Sequence, residues 1–170
     1  AFDLPGKTFR HIEFPEYKAQ REKQPQDLYD QIPIIKETLA AFNTAIFEKE
    51  GYEADDIIGT LTRAAQNYAE QYAELRGTGI ESIIVTGDLD ALQLVNENTK
   101  VCALKQGISE TIMYDEKAVI DRYGLRPDQM IDYKALRGDP SDNIPGVPGI
   151  GEKTTTELLK NYETIEKLYE

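Results

Sequence analysis

An apolar run followed directly by two acids stands near the middle of the chain, as Ser82-Ile83-Ile84-Val85-Thr86-Gly87-Asp88-Leu89-Asp90. After Ser82, residues 83–86 are all β-branched without polar alternation, which is typical of a buried parallel strand. The two carboxylates follow at the carboxyl end of that strand, where open α/β sheets bind their ligands. The run therefore predicts an α/β fold with a ligand site at one edge of its sheet.

The residues before this strand predict two helices and two short strand segments. Pro25 and Asp27 open the first helix and Gly51 precedes the second, as apolar residues then recur at helical spacing. Residues 45–47 between them are expected to form a short strand, and Phe2 to end another whose start is missing. The first helix is expected to carry an apolar stripe, made of Leu28, Ile32, Ile35, Leu39 and Phe42.

The residues after the strand predict a hairpin and further helices. Residues 101–104 and 111–113 bracket a turn as two strands of a β-hairpin. Asp115 is expected to cap a helix that ends near Gly124, and Pro127 to start the next one. This alternation predicts a mostly parallel central sheet flanked by helices.

Acidic residues recur at four positions where strands end and helices begin. Eight of them are candidate metal ligands: Asp3, Glu53, Asp55, Asp56, Asp88, Asp90, Asp139 and Asp142. Each group alone has a simple structural explanation, since acids cap helices and form tight turns. Gathered on one rim, however, they would repel one another unless cations lay between them. An oxygen-only donor set points to Mg²⁺ or Mn²⁺, and two such ions about 4 Å apart are the usual device for cleaving a phosphodiester.

The overall charge bears on whether the phosphodiester substrate is a nucleic acid. The chain has 31 acidic against 19 basic residues, a formal net charge of −12, whereas nucleic-acid binders are usually basic on the binding face. Either nucleic acid is the wrong substrate, or the positive charge is local and many carboxylates are ligands. The distribution favours the second interpretation, because basic and aromatic residues are interleaved in the polar segment 8–26. We expect this segment to be either mobile or partly helical.

Composition also restricts the class of protein. Hydrophobic residues make up 40% of the chain and charged residues 29%, no apolar run approaches the ~20 residues of a membrane span, and no signal peptide is visible. Cys102 is the only cysteine, which fits a reducing compartment. We expect a cytoplasmic monomer without membrane contact.

A glycine-rich run near the C-terminus is the second informative feature, as Ile144-Pro145-Gly146-Val147-Pro148-Gly149-Ile150-Gly151-Glu152-Lys153-Thr154. Its glycines allow close backbone approach, and a helix opening near Glu152 presents free N–H groups to an anion. Such a helix–hairpin–helix binds a DNA backbone without reading bases, although a plain loop between helices is the alternative. The candidate DNA-binding residues are Gly146, Gly149, Gly151, Lys153 and Thr154.

Seven motifs in this order resemble the 5′ nuclease domain of bacterial DNA polymerase I, within the flap endonuclease superfamily. They are Phe2-Asp3, Phe9-Arg10-His11, Tyr17-Lys18-Ala19-x-Arg21, Gly51-Tyr52-Glu53-Ala54-Asp55-Asp56, Thr86-Gly87-Asp88-x-Asp90, Gly138-Asp139-x-Ser141-Asp142-Asn143 and Pro148-Gly149-Ile150-Gly151-Glu152-Lys153-Thr154. The resemblance covers nearly the whole chain.

The resemblance implies a PIN-like fold and a structure-specific nuclease that acts on DNA 5′ ends, 5′ flaps, and nicked or gapped duplexes in replication and repair. It implies that the eight acids hold two or more divalent ions, that Arg10, Lys18 and Arg21 contact the scissile phosphate, and that residues 9–31 form an arch. A K⁺ ion is a further expectation at the hairpin.

The resemblance also implies a domain organisation. Residues 1–137 are expected to form the nuclease core and residues 138–170 the acidic loop and helix–hairpin–helix. The family has a further N-terminal strand with an additional metal-binding Asp, which we do not find before Phe2, and a polymerase can follow the domain.

Three other functions remain open on the sequence. A DNA-structure-binding module without catalysis would keep the hairpin but lack a complete set of ligands. A Mg²⁺-dependent phosphotransferase or phosphatase using Asp88 and Asp90 would give no role to the hairpin or the basic segment. A toxin-type ribonuclease of related fold would lack the glycine hairpin.

Overall fold

The computed structural model describes residues 1–76, 80–106 and 109–170 and contains a small mixed sheet. Strand β1 (Ser82–Thr86) pairs in parallel with β2 (Thr99–Gln106), and β2 pairs antiparallel with β3 (Glu110–Tyr114), in the order β1-β2-β3. The α/β fold and both strands of the hairpin are confirmed, and one of the two described strand pairings is parallel. The expectation that β1 is buried holds only for Ile84, because Ile83 and Val85 are 53% and 64% exposed. The hairpin turn at 107–108 lies outside the described residues.

Seven α-helices occur in the described parts of the chain: α1 (Phe9–Glu13), α2 (Gln26–Ala41), α3 (Ala54–Arg76), α4 (Glu116–Tyr123), α5 (Met130–Arg137), α6 (Glu152–Tyr162) and α7 (Ile165–Leu168). Two 3₁₀ helices, Leu89–Leu94 and Pro127–Gln129, precede β2 and α5. A search of the described helices finds none with the length and apolarity needed to cross a membrane.

Local signals account for the ends of α4 and the start of α5. The Asp115 side chain accepts a hydrogen bond of 2.8 Å from the Ala118 N–H, which satisfies one of the free donors of the first turn. Gly124 follows the helix in the left-handed region at φ +68°, where glycine is not penalised. Pro127 begins a short 3₁₀ turn that leads into α5, so both predictions from the sequence are confirmed.

The chain divides into two compact units. The first comprises residues 1–58 and 141–143, and the second comprises residues 59–140 and 144–170. The second unit contains the apolar core, whose most deeply buried side chains include Leu92, Val101, Val119, Leu125, Tyr133 and Leu159. In the first unit, Thr8 and Tyr17 are the buried members of the described residues.

One expectation about the first unit is wrong, and another is confirmed without the burial that usually accompanies an apolar stripe. Residues 45–47 form no strand in the described chain, because the single backbone hydrogen bond from Phe2 N–H to Phe47 O, 3.0 Å long, does not make a ladder. Helix α2 is present, but none of its residues is buried and Phe42 is 78% exposed. The apolar stripe therefore predicted the helix correctly without predicting what covers it.

The predicted arch, residues 9–31, contains α1, a series of turns at 15–20 and the start of α2. Lys18 lies within these turns at φ +54°, and the Arg21 N–H donates to its carbonyl at 3.0 Å. The segment is thus partly helical, as expected.

Candidate functional site

Carboxylates surround the N-terminus of α3 in the first unit. Asp3 Oδ1 accepts a hydrogen bond of 2.6 Å from the Ala54 N–H, and Asp56 Oδ2 accepts one of 2.9 Å from the Glu53 N–H. The first N–H groups of a helix have no partner inside it, and its dipole favours negative charge there. Local helix chemistry therefore gathers Asp3, Glu53 and Asp56 at one end of α3, with Asp55 exposed in the first turn.

Arg10 forms a bidentate ion pair with Asp56. The Arg10 Nη1 and Nη2 atoms each lie 2.7 Å from one Asp56 carboxylate oxygen, and the guanidinium lies 4.6 Å from the centroid of the Phe9 ring. The hydrogen bond to Asp56 raises the pKa of Arg10, and the same hydrogen bond lowers the pKa of Asp56. Both groups are therefore charged at neutral pH.

Tyr17 lies between two of the predicted metal ligands. Its hydroxyl oxygen is 3.0 Å from Glu53 Oε2 and 3.1 Å from Asp142 Oδ2. Burial, together with these two carboxylates, raises the pKa of Tyr17, so the hydroxyl keeps its hydrogen. The single hydroxyl hydrogen cannot fully serve two carboxylates. Lys18 supplies a positive partner, with its Nζ 2.8 Å from Glu53 Oε2 and 4.0 Å from Asp142 Oδ2.

Arg21 completes this group of side chains. Its Nη2 lies 2.7 Å from Asp142 Oδ1, and its Nε donates to the Ser141 carbonyl at 3.2 Å. The Lys18 N–H also donates to the Asp142 carbonyl, at 3.0 Å. Each cation predicted to contact phosphate therefore lies against a predicted metal ligand within the first unit, as Arg10 does with Asp56.

Lys134 lies between two carboxylates of the second unit. Its Nζ is 2.6 Å from Asp90 Oδ1 and 2.6 Å from Asp139 Oδ2. Burial raises the pKa of Asp90 despite the opposing hydrogen bond from Lys134. Burial also disfavours the charge on Lys134, but its hydrogen bonds to Asp139 and Asp90 outweigh that effect and raise its pKa. One ammonium thus partly neutralises two acids.

Asp88 caps the 3₁₀ helix that follows β1. Its side chain accepts a hydrogen bond of 2.9 Å from the Asp90 N–H, and its own N–H donates to Thr86 Oγ1 at 3.0 Å. The capping role anticipated from the sequence is present. It also places the Asp88 and Asp90 side chains on one short turn at the carboxyl end of the strand.

The glycine-rich run forms a hairpin between α5 and α6. Gly149 has φ +82°, and a Cβ atom added to Gly149 or Gly151 would meet nothing within 4 Å. Lys153 and Thr154 are exposed in the first turn of α6. An accessible helix start with a lysine and open backbone suits an anion such as phosphate. Gly146, by contrast, is enclosed by other backbone atoms.

Two residues contact predicted metal ligands although the sequence did not predict these contacts. Lys134 lies in the last turn of α5, where the helix dipole alone favours a positive charge, so nothing in the sequence marks it out. Tyr17 belongs to the motif Tyr17-Lys18-Ala19-x-Arg21, but the sequence assigned no role to its hydroxyl. Its contact with Asp142 joins residues 125 positions apart.

The predicted ligands fall into two groups, one in each unit. Asp3, Glu53, Asp55, Asp56 and Asp142 belong to the first unit, and Asp88, Asp90 and Asp139 belong to the second. Within each unit, cationic side chains are shared among the carboxylates. Convergence of all eight on one rim of the sheet stays a prediction.

Comparison with known families covers the whole chain. Residues 1–124 match the family described as 5′-3′ exonuclease, N-terminal resolvase-like domain. Residues 125–170 match the family described as 5′-3′ exonuclease, C-terminal SAM fold.

Individual proteins give the same assignment. DNA polymerase I of Bacillus subtilis (strain 168) is 46% identical over 170 residues, which is 100% of this chain and 18% of that protein. DNA polymerase I of Chloroflexus aurantiacus is 45% identical over 173 residues, 100% of this chain and 17% of that protein. The chain therefore spans less than a fifth of these relatives. The solved T5 5′-exonuclease with bound zinc shares the fold, with a TM-score of 0.74 at 22% identity over 98% of this chain and 60% of that one. This chain belongs to the 5′-3′ exonuclease family.

Proposed function

We propose that the chain is the nuclease portion of a longer DNA polymerase and hydrolyses DNA phosphodiester bonds at 5′ ends and 5′ flaps. The observation that carries this proposal is the alternation of charge in the first unit. Arg10, Lys18 and Arg21 lie at 2.7–2.8 Å from carboxylates that the motifs assign to metal binding. A phosphodiester needs both kinds of group within reach of one phosphate.

The donor chemistry fits divalent cations. Asp90 and Asp139 present carboxylate oxygens to one Lys134 ammonium, so this position already accommodates a cation between two acids. Oxygen donors suit Mg²⁺ or Mn²⁺, and we infer that two or more such ions are held by the eight predicted acids. The zinc ions bound by the T5 5′-exonuclease support a divalent site in this fold.

Bound divalent ions would lower the pKa of a coordinated water and neutralise charge on the leaving oxygen. The residues of the chain have separate tasks. Arg10, Lys18 and Arg21 would exchange their present carboxylate partners for phosphate oxygens when DNA arrives, since both are anionic acceptors of charge-assisted hydrogen bonds. Tyr17 would hold Glu53 through its hydroxyl. The expected products carry a 5′-phosphate and a 3′-hydroxyl.

DNA duplex is proposed to bind at the hairpin. The open backbone at Gly149 and Gly151, with Lys153 and Thr154 beside it, would contact phosphates and give affinity without sequence preference. Gly146 would act there indirectly, through the backbone.

The proposal has three further parts. A K⁺ ion would bind at the hairpin, residues 9–31 would form an arch, and the chain would divide into residues 1–137 and 138–170. We also expect a cytoplasmic monomer.

The test is cleavage of a labelled 5′-flap duplex in Mg²⁺, by this chain and by a version extended at its N-terminus. The matched variants are Asp88→Asn with Asp90→Asn, against the control Asp121→Asn on α4, whose carboxylate pairs with exposed Lys117. Cleavage should disappear in the double variant and persist in the control. A gel shift in Ca²⁺ should show the same duplex binding for all of them.

Two outcomes would overturn the proposal. Equal cleavage by the double variant would remove the two acids from the mechanism. Duplex binding in Ca²⁺ without cleavage by either the chain or its extended version would instead assign a binding module that lacks catalysis.

A further inference from the structure

Two glycines of the second unit cross at backbone contact distance. Gly138 ends α5 at φ +83° and Gly146 lies in the hairpin at φ +65°. A Cβ on Gly146 would lie 2.4 Å from Gly138 N and 2.6 Å from Arg137 O, and a Cβ on Gly138 would lie 2.7 Å from Gly146 N. All of these are backbone atoms, so no flexible side chain can move aside. The crossing therefore requires glycine at both positions.

Hydrogen bonds hold the backbone on either side of this crossing. The Asp139 N–H donates to the Ile144 carbonyl and the Ile144 N–H donates to the Asp139 carbonyl, both at 2.8 Å. On the hairpin side, the Val147 N–H donates to the Leu136 carbonyl, also at 2.8 Å. Backbone hydrogen bonds thus join the end of α5 and Asp139 to the first residues of the hairpin.

The glycines of this region are of two kinds. Gly149 and Gly151 face open space and remain available to a ligand, whereas the backbones of Gly138 and Gly146 pack against each other. Because Asp139 directly follows Gly138 and is only 7% exposed, its position depends on the path that the crossing imposes.

We propose that the Gly138–Gly146 crossing positions the Asp139 carboxylate relative to the DNA-binding hairpin, so that the metal-binding acid and the hairpin move as one body. This inference rests on the proposed function. Gly138 and Gly146 are positioning residues, since they act through Asp139. Groups that orient metal ligands change metal affinity by about 10–100-fold when altered.

The first experiment compares Gly146→Ala with Gly59→Ala in the 170-residue chain. The control is matched, because a Cβ on Gly59 meets Leu94 Cδ2 at an ordinary 3.6 Å. Mn²⁺ binding is measured from the electron paramagnetic resonance of the free ion, and flap cleavage is measured against Mg²⁺ concentration. In Gly146→Ala, the Mn²⁺ dissociation constant should rise by at least about tenfold and cleavage should require correspondingly more Mg²⁺. Gly59→Ala should match the unaltered chain.

A folded Gly146→Ala variant with unchanged Mn²⁺ affinity would overturn the inference, even if its cleavage were lost, because the loss would then arise from DNA contact. Absence of Mn²⁺ binding by the unaltered chain would overturn it as well. Absence of flap cleavage by the unaltered chain, with Mn²⁺ affinity still lowered by Gly146→Ala, would instead count against the proposed function and leave the crossing as a positioning device.

A second measurement needs no variant and applies if Gly146→Ala does not fold. Amide hydrogen exchange of the unaltered chain is followed with and without Mg²⁺. The amides of Asp139, Ile144 and Val147 should slow by a common factor, although Val147 is on the hairpin. The Ala118 amide in α4, bonded to Asp115 at 2.8 Å, serves as the control and should not change. Slowing at Asp139 without slowing at Val147 would refute the coupling.

Discussion

At the scale of single residues, the main feature is that acids and cations are paired before any ligand is bound. Arg10 with Asp56 and Lys134 with Asp90 and Asp139 are charge-assisted contacts of 2.6–2.7 Å. Such contacts contribute more than neutral hydrogen bonds, about 1.5–3 kcal/mol when well enclosed. They also keep carboxylates together that would otherwise repel one another.

The Arg10–Asp56 pair makes stability depend on pH. Because the pKa of Asp56 is lower in the folded chain than in the unfolded one, its contribution is present at neutral pH and is lost as pH falls below about 4 toward the lowered value. In a metal chelator, Asp56→Asn should reduce the free energy of unfolding by about 1–2 kcal/mol at pH 7. The difference from the unaltered chain should shrink toward pH 3 in urea unfolding. A difference that stays constant down to pH 3 would contradict this assignment.

Lys134 provides a prediction that involves metal removal. Lys134→Met leaves Asp90 and Asp139 without their shared ammonium, so in chelator the unfolding free energy should fall by about 1–2 kcal/mol. Excess Mg²⁺ should restore more stability to this variant than to the unaltered chain, measured by thermal unfolding. Lys117→Met, which breaks an exposed pair on α4, should change stability by less than about 0.5 kcal/mol. Equal effects of the two substitutions would remove the special role of Lys134.

At the scale of elements, residues at helix N-termini stabilise the fold in one case and are expected to bind DNA in another. Asp115 caps α4 by a purely local contact with the Ala118 N–H. Asp115→Ala should therefore lower the free energy of unfolding by about 1 kcal/mol. Asp121→Ala, on the exposed side of the same helix, is the control and should cost less than about 0.5 kcal/mol. Chemical unfolding of both variants checks the difference, and equal costs would argue against the cap.

The start of α6 is instead expected to act on DNA. Lys153→Ala should weaken duplex binding for all sequences alike and lower the salt dependence of log K by about one unit, as expected for loss of one phosphate contact. The measurement is a titration of duplex in Ca²⁺ at several salt concentrations. Lys167→Ala, in α7 and paired with Glu163, is the control. An unchanged salt slope in Lys153→Ala would place the duplex elsewhere.

At the scale of the whole molecule, the net charge of −12 makes bound cations stabilising. A ligand that binds only the folded chain adds RT ln(1 + [L]/Kd), about 2.7 kcal/mol at a concentration of 100 Kd. The midpoint temperature of thermal unfolding should therefore rise more in Mg²⁺ or Mn²⁺ than in NaCl of equal ionic strength. Asp88→Asn with Asp90→Asn should reduce that excess shift. Identical shifts in both salts would indicate screening alone.

Local patterns in the sequence were sufficient for much of the fold. The strand at 82–86, the hairpin strands, the Asp115 cap and the helix after Pro127 all depend on neighbouring residues, and the structure confirms them. The prediction of a strand at 45–47 was wrong because a strand requires a partner, and within the described residues one backbone hydrogen bond to Phe2 is too little to form a ladder. The exposed α2 shows that a periodic apolar stripe specifies a helix but not its burial.

The amino-acid sequence by itself determined the family, the positions of most helices and strands, and which residues carry charge, because these depend on local periodicity, turn chemistry and motif order. Only the tertiary structure decided which charges meet. Tyr17 reaches Asp142 and Arg10 reaches Asp56 across long stretches of chain, Lys134 lies between Asp90 and Asp139, and Gly138 meets Gly146. The physical reason is that ion pairs and backbone contacts depend on separation in space to within a few tenths of an ångström, which residue order alone does not specify.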